Sequence, residues 1–162
     1  MALCYPEKDN STHLLLILRK TYKGVHSNQI GFPGGKAEVF DEGILDTALR
    51  ETEEEVGVPS HRIEVVKKLT SIYIPPSNFE VQPFLGICKT LPLFSIQEDE
   101  VEALVKVKMT DFLDDVNVCQ KTMSTSYAKN VMVPAFNLNG HTVWGATAMM
   151  LSELKDLLKQ VL

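Results

Sequence analysis

The sequence lacks a long apolar run and has few cysteines. No stretch approaches the length of about 18 residues that a membrane span needs, and the N-terminus lacks the charged and apolar order of a signal peptide. The cysteines are odd in number and far apart, at Cys4, Cys88 and Cys119. They fit neither a disulfide framework nor the short paired spacings of a zinc site. These absences predict a protein of the reducing cytoplasm that does not partner with a membrane.

Positive charge is also scarce. The chain has 16 Lys and Arg residues against 21 Asp and Glu residues, which gives a formal net charge of −5. Binding of nucleic acid without regard to sequence depends on clustered Lys and Arg. The composition therefore argues against a nucleic-acid partner, and an anionic small molecule would need a metal ion to approach an acidic site.

What remains is the composition of one soluble globular domain, predicted over residues 1–162. Hydrophobic residues make up 44% of the chain and charged residues 23%, which is ordinary for such a fold. The chain opens on residues 2–5, which resemble the end of a strand. This opening leaves two possibilities: that an N-terminal segment is missing, and that the apolar residues 2–5 pair with a second chain in a homodimer.

Periodic patterns predict strands between two helices. Residues 14–18 form a continuous apolar run, typical of a central strand buried on both faces. Helices are predicted over 44–56 and 145–161, and a short helix over 110–116 with Thr110 as its cap. Other extended segments are predicted at 30–32, 63–68, 69–74, 81–88 and 99–108, and in a hairpin formed by 122–127 and 131–136. This order predicts a layered α/β sandwich.

The first helix carries three glutamates on one side. At about 100° per residue, Glu51, Glu54 and Glu55 fall within an arc of roughly 100°, whereas Glu53 lies about 200° from Glu51 and is predicted to be solvated. Carboxylates at positions i, i+3 and i+4 can coordinate hard cations such as Mg²⁺ or Mn²⁺. The predicted packing side of the helix comprises Leu45, Leu49, Thr52 and Val56.

The residues around these glutamates decide between a metal site and a solvated surface, which is what most acidic helix faces are. Gly34 and Gly35 permit a sharp turn before the helix, and a backbone carbonyl there can point at a metal. Arg50 can hold a carboxylate by a bidentate contact. Together they favour the metal site.

The whole segment resembles the Nudix hydrolases, whose box runs G-x5-E-x7-R-E-U-x-E-E-x-G-U, with U an apolar residue. Residues 50–58, RETEEEVGV, match its second half except that Thr52 stands at a U position. The first half has one extra residue. From Gly35, five residues lead to Asp41 and eight more separate Asp41 from Arg50, whereas Glu42 gives spacings of six and seven. The carboxylate that supports the arginine is therefore either Asp41 or Glu42.

The resemblance implies an α/β/α sandwich with a mixed β-sheet and a metal-dependent hydrolase of nucleoside diphosphate derivatives. It implies that Glu51, Glu54, Glu55 and the Gly34 carbonyl hold Mg²⁺ or Mn²⁺, with Arg50 in the same site, and that a metal-activated water attacks phosphorus. A general base is also required. It is either a glutamate of the box or one on a later loop, where the acidic residues 98–100 make Glu100 the candidate.

The resemblance extends toward the coenzyme A pyrophosphatase branch, whose enzymes cleave coenzyme A at its diphosphate. That branch has an upstream signature, L-L-T-x-R-S-x3-R-x3-G-x3-F-P-G-G, of which this chain keeps Arg19. It has Lys20, Gly24 and Asn28 in place of Ser, the second Arg and Gly. Because a loop arginine can contact a substrate phosphate, these changes leave the substrate open between coenzyme A or its thioesters and another diphosphate such as ADP-ribose or NADH. The shared pieces are FPGG at 32–35, the extra residue of the box, TALRE at 47–51, VQPFLGI at 81–87, EDEV at 98–101 and VWGATA at 143–148.

Two further interpretations compete. A Nudix-fold binding module without catalysis would show a broken glutamate set, whereas this set is intact. An enzyme that removes oxidised nucleoside triphosphates would release pyrophosphate and ignore coenzyme A. Trp144, His26 and Tyr73 could contact substrate, but each fits an ordinary structural role as well, so we assign none of them to the site.

Overall fold

The computed structural model describes residues 1–21, 29–123 and 130–161. The predicted loop around Gly24, His26 and Asn28, and the turn of the predicted hairpin, lie outside these ranges. The helices are α1 (Ile44–Val56), α2 (Met109–Leu113) and α3 (Gly145–Lys159). The strands are β1 (Ala2–Pro6), β2 (Thr12–Arg19), β3 (Ile30–Gly31), β4 (Glu64–Lys68), β5 (Ile72–Ile74), β6 (Phe79–Val81), β7 (Phe84–Ile87), β8 (Val101–Lys108), β9 (Val118–Met123), β10 (Val131–Leu138) and β11 (His141–Trp144).

Strand β2 lies at the centre of a six-stranded sheet. Its residue Leu15 is paired with Leu3 of β1 and also with Lys106 of β8, so β1 and β8 flank it on opposite edges. Short β3 pairs with the end of β2 on the side of β1. Strand β1 then runs parallel to β7, and β7 antiparallel to β4. The sheet is mixed, and the predicted central strand is confirmed.

The chain's first strand is interior to this sheet. β1 uses one edge for β2 and the other for β7, with Leu3 opposite both Leu15 and Gly86. The prediction that residues 2–5 pair with a second chain is therefore wrong, because this strand has no edge left to offer.

Two apolar cores lie on the two faces of the sheet. On one face, Leu3 and Ile17 pack with Ala48 and Val56 of α1. On the other face, Leu14 and Leu16 belong to the cluster that contains Leu151 and Leu154 of α3. Because successive residues of a strand point to opposite faces, the continuous apolar run of β2 supplies both cores. The α/β/α sandwich is confirmed.

Several elements differ from the sequence prediction. Residues 81–88 do not form one strand, because Pro83 interrupts them; β6 ends at Val81 and turns back on β5, while β7 joins the main sheet. Strand β11 was missed, although it pairs with β10 in a three-stranded sheet. Leu45 does not pack, because the first turn of α1 is not covered by the sheet and Ile44 is exposed there too.

The short helix is also placed differently. α2 begins at Met109, with Lys108 at its N-cap and without a side-chain cap, so the predicted capping role of Thr110 is wrong. The side-chain cap occurs one element later, where Asp114 accepts a hydrogen bond from the Val116 N–H at the turn Asp115–Asn117. Within the described ranges, α1, α2 and α3 are each too short or too polar to cross a bilayer.

Candidate active site

Helix α1 begins and ends on glycines that suit its termini. Gly43 is the N-cap in an extended conformation, and Gly57 takes the left-handed conformation at the C-terminal end, where its N–H donates to the Glu53 carbonyl. Glu53 itself is exposed and accepts a hydrogen bond from the Ser60 N–H, away from the other glutamates, as predicted. Thr52, at the position usually apolar, is fully buried because its hydroxyl donates to the Ala48 carbonyl at 2.6 Å.

Glu55 is a buried carboxylate, with 1% of its surface exposed. It accepts hydrogen bonds from the Gly34 N–H at 2.7 Å and from the Arg19 guanidinium at 3.2 Å. Burial raises the pKa of Glu55 to about 7, against the lowering effect of Arg19 and the Gly34 N–H, and the charges of Glu51 and Glu100 add to the rise. The ionised form of Glu55 therefore needs a nearby cation to stabilise it.

The two glycines before the helix allow this approach. Gly34 has a φ of 149°, which other residues rarely adopt. A β-carbon on Gly35 would overlap the Glu51 carboxylate, so only glycine lets this carboxylate lie against the backbone. The Gly34 carbonyl accepts a hydrogen bond from Arg19 at 2.5 Å. The turn therefore contacts two of the three glutamates.

Arg50 organises the other carboxylates. Its Nε and Nη2 donate to the two oxygens of Asp41 at 2.8 and 2.9 Å, and its Nη1 donates to Glu51 at 3.0 Å and to Glu54 at 2.9 Å. Hydrogen bonds from Arg50 hold the pKa of Asp41 well below its usual value. Of the two carboxylates that the box spacing allowed, Asp41 supports the arginine, whereas Glu42 is exposed.

Glu100 stands near the glutamates on a separate loop. Its charge contributes to raising the pKa of both Glu51 and Glu55. The loop is tied to the end of α1 by hydrogen bonds from the Ser95 N–H to the Val56 carbonyl and from the Gln97 N–H to the Glu55 carbonyl. Glu100 itself is exposed.

Arg19 is the residue of this site that the sequence reasoning did not assign. In the sequence it stands only as a retained position of an upstream signature. The available signal is its place in the sequence, since an arginine that directly follows an apolar run needs a polar partner nearby.

A cavity of about 380 Å³ lies beside the end of β2. Its wall includes Leu18 and Ile30, and Trp144 and His141 of β11 lie on it as well. Trp144 is partly buried at this wall rather than in the core. Tyr73, the other described aromatic candidate, lines a separate groove with Met149 and Glu153.

Comparison with known proteins shows which family this chain belongs to. A family model described as the NUDIX domain matches residues 2–122. The chain belongs to the Nudix family. The Nudix hydrolase NudL of Yersinia enterocolitica is 35% identical over 111 residues, covering 68% of this chain and 54% of that protein. NudL of Yersinia pestis (strain Pestoides F) is 28% identical over 159 residues, covering 94% and 73%. The chain thus spans about half the length of the first relative.

Solved Nudix structures share the fold. The M. smegmatis Nudix hydrolase RenU has a TM-score of 0.66 at 13% identity, covering 99% of this chain and 84% of that one. The Nudix domain of Shewanella oneidensis NrtR, crystallised with ADP-ribose, has a TM-score of 0.58 at 16% identity, covering 96% and 83%. At these identities the likeness concerns the fold.

Nudix hydrolases generally use divalent metal ions, and the donor groups here fit such an ion. The groups that meet at the turn are carboxylates and a carbonyl, which hard cations prefer. A positively charged guanidinium, that of Arg19, already lies on the Gly34 carbonyl and the Glu55 carboxylate. Among the described residues, no three Asp, Glu, His or Cys side chains converge closely enough to form a finished metal site. Instead, the arginines hold the carboxylates.

Proposed function

We propose that this Nudix protein is a metal-dependent pyrophosphohydrolase that cleaves the diphosphate of a nucleoside diphosphate derivative, with coenzyme A or an acyl-coenzyme A as the first candidate substrate. The observation that carries the proposal is the position of Glu51 and Glu55 on one face of α1, directly against the Gly34–Gly35 turn. Glu54 joins Glu51 through the shared Arg50.

Each residue has a definite task in this proposal. Glu51, Glu54, Glu55 and the Gly34 carbonyl would hold Mg²⁺ or Mn²⁺. Such ions supply charge neutralisation of the diphosphate and activation of the attacking water. Arg50 orients two of the glutamates by donating to both.

Glu100 is the proposed general base. It approaches the glutamates from a loop separate from α1, and its exposed carboxylate can accept a proton from the attacking water. In-line displacement at phosphorus depends on positioning of the reacting groups as much as on activation of the water. In this proposal the contacts between Arg50 and Asp41 contribute by keeping the metal-binding glutamates in place.

The cavity beside the end of β2 supports a substrate that extends beyond its diphosphate. Its wall combines the Trp144 ring with polar groups such as His141, a combination that can receive a nucleoside. Coenzyme A and ADP-ribose both carry one. ADP-ribose, the ligand crystallised with the NrtR domain, and NADH are the second candidates.

We also propose that residues 1–162 act as one domain in a reducing cytoplasm, without nucleic acid or membrane as partner. Cys4, Cys88 and Cys119 are all free thiols, which supports a reducing compartment. The net charge of −5 supports a small-molecule substrate that is approached through a cation.

A substrate panel tests this proposal. The purified protein is incubated with coenzyme A, acetyl-coenzyme A, ADP-ribose, NADH and an oxidised nucleoside triphosphate, each with Mg²⁺ or Mn²⁺, and products are separated by chromatography. We expect 4′-phosphopantetheine and 3′,5′-ADP from coenzyme A, and no turnover in EDTA. Silence with every compound would favour a binding module instead.

Glu54→Gln, with Glu53→Gln as its neighbouring control, tests the glutamates. Glu54→Gln keeps the size of the side chain but removes a formal charge. We expect kcat to fall by roughly 100-fold or more, since even the residues that orient metal ligands contribute about 10–100-fold to activity. Glu53 is exposed and accepts a hydrogen bond from the Ser60 N–H outside the site, so its variant should retain activity. Near-normal turnover by Glu54→Gln would reject a metal role for this residue.

A further inference from the structure

Arg19 contacts the same two groups that the proposed function gives to a metal ion. Its Nη1 donates to Glu55 Oε1 at 3.2 Å and its Nη2 to the Gly34 carbonyl. The second oxygen of Glu55 accepts from the Gly34 N–H at 2.7 Å. With Arg19 in place, each oxygen of the buried carboxylate therefore already has a donor.

We propose that the Arg19 guanidinium occupies the cation position of the metal-free protein and that a divalent ion must displace it. This inference rests on the proposed function, because it takes Glu55 and Gly34 as metal ligands. A buried carboxylate without a cation is costly, and Arg19 removes that cost when no metal is present. A divalent ion and a guanidinium that approach the same carbonyl and carboxylate oxygens are two cations at close range and repel each other, so the two compete.

The backbone around Arg19 is fixed while its side chain can move. The Arg19 N–H donates to the Gln29 carbonyl at 3.0 Å, and the next residue, Lys20, donates its N–H to the Glu100 carbonyl at 2.8 Å. The Arg19 side chain is 23% exposed, so it has a route out of the site. Displacement of the guanidinium thus requires side-chain rotation alone.

A displaced guanidinium would stay close to the diphosphate of a substrate, because the backbone of Arg19 is fixed next to the proposed metal ligands. A guanidinium is well suited to a phosphate oxygen. Arg19 is then a positioning residue with two states, bound to Glu55 before the metal arrives and available to a substrate phosphate afterwards.

Metal affinity measured without substrate tests the exchange. Free Mn²⁺ is followed by electron paramagnetic resonance during titration of the full chain, for the wild type, Arg19→Ala and Lys20→Ala. We expect Arg19→Ala to bind Mn²⁺ about tenfold more tightly, because one charge-assisted contact no longer has to be broken. Lys20→Ala removes the same charge one residue along, from a side chain that pairs with the exposed Glu102 at 3.0 Å, and should change affinity less than twofold.

Thermal unfolding gives a second readout. Without metal, Arg19→Ala leaves the Glu55 carboxylate without its cation, so its Tm should lie below that of the wild type; saturating Mn²⁺ should close the gap. If the alanine variant does not fold, Arg19→Met keeps the apolar stem and serves for both measurements.

Equal or weaker Mn²⁺ affinity in the Arg19 variant would overturn the exchange. That failure is separate from failure of the proposed function, because hydrolysis by the wild type is scored in the substrate panel. Tighter Mn²⁺ binding by the variant in a protein that hydrolyses nothing would leave the exchange standing and reject the hydrolase. A wild type that binds no Mn²⁺ would overturn both.

Discussion

Asp41 determines where two of the site's glutamates lie, although it is not itself one of the proposed metal ligands. It holds Arg50 by two parallel hydrogen bonds, and Arg50 in turn donates to Glu51 and Glu54. Asp41 is fixed by donors of its own, the Thr47 hydroxyl at 2.7 Å and the Glu38 N–H at 2.8 Å. A short chain of charge-assisted contacts therefore links the loop before α1 to the proposed metal ligands.

Asp41→Asn should lower kcat by about 10–100-fold, the usual effect of losing a partner that orients metal ligands. The asparagine cannot accept both hydrogen bonds from the guanidinium, so Arg50 and the glutamates lose their fixed geometry. Steady-state kinetics with the best substrate of the panel, together with circular dichroism to verify the fold, measures the effect.

Glu42→Gln is the matched control, one residue along the same loop. Its side chain is exposed, and we expect its activity to stay within about twofold of the wild type, as for most surface substitutions away from such contacts. A larger loss in Glu42→Gln than in Asp41→Asn would contradict the assignment of the supporting carboxylate.

These residues show the reach of sequence reasoning at this scale. The helical spacing was enough to place Glu51, Glu54 and Glu55 together and Glu53 apart, because the period of a helix is regular. The helical spacing does not distinguish Asp41 from Glu42, because both residues lie on a loop, which has no regular period. The partnership of Arg19 with Glu55 joins positions 36 residues apart, a separation that local patterns do not describe.

At the scale of elements, the end of α1 is shaped by a close contact with a later loop. Gly57 has a φ of 73°, and a β-carbon built on it would lie 2.9 Å from the Ser95 N and Cβ atoms. The Ser95 N–H donates to the Val56 carbonyl, and Gln97 to that of Glu55. Gly57 thereby allows the segment that leads to Glu100 to lie on the end of the helix.

Gly57→Ala and Gly140→Ala together distinguish the cost of a left-handed backbone from the cost of a steric contact. Both glycines have positive φ, 73° and 79°, but a β-carbon on Gly140 would meet no atom within 4 Å. Gly140→Ala should cost about 1–2 kcal/mol of unfolding free energy for its left-handed backbone. Gly57→Ala should cost about 1–3 kcal/mol more because of overpacking against Ser95. Urea unfolding of both variants measures the difference, and equal costs would show that the contact is relieved without strain.

Elements with strong internal patterns were predicted well, and those defined by partners were not. The run of β2 and the periods of α1 and α3 identify them directly. The break within residues 81–88 is hard to predict because the apolar residues Val81 and Phe84 stand on either side of Gln82 and Pro83. β11 was missed because a four-residue strand, His141–Trp144, depends on its pairing with β10.

At the scale of the whole molecule, ion pairs connect the last helix to the segment after α2. Lys155 and Lys159 of α3 reach Asp115 at 3.0 and 2.7 Å, and Lys155 also donates to the Asp114 carbonyl. Lys155 is buried, with its amine 5.7 Å from the centre of the Phe136 ring. These contacts hold α3 close to the segment after α2 and to β10 of the three-stranded sheet.

The hydrogen bonds and charges of Lys159 and Lys155 lower the pKa of Asp115 below its ordinary value of 3.8. A carboxyl group whose pKa is lower in the folded state stabilises the fold above 3.8, and loses this contribution as the pH falls through the folded-state pKa. Asp115→Asn should therefore be less stable than the wild type at neutral pH, and the difference should shrink on acidification. Urea unfolding across a pH series measures it, and a difference that grows toward acid would show the sign to be wrong.

The pairing of β2 with β8 has a consequence for biosynthesis. Strand β2, at positions 13 to 19, pairs with β8 at positions 101 to 108, and β1 pairs with β7 at positions 84 to 87. About two thirds of the chain must leave the ribosome before β8 can pair with β2. Such non-local topologies fold slowly, so the nascent apolar segments around positions 14 to 17 remain exposed during translation and are the part of this polypeptide that a chaperone would be expected to meet first.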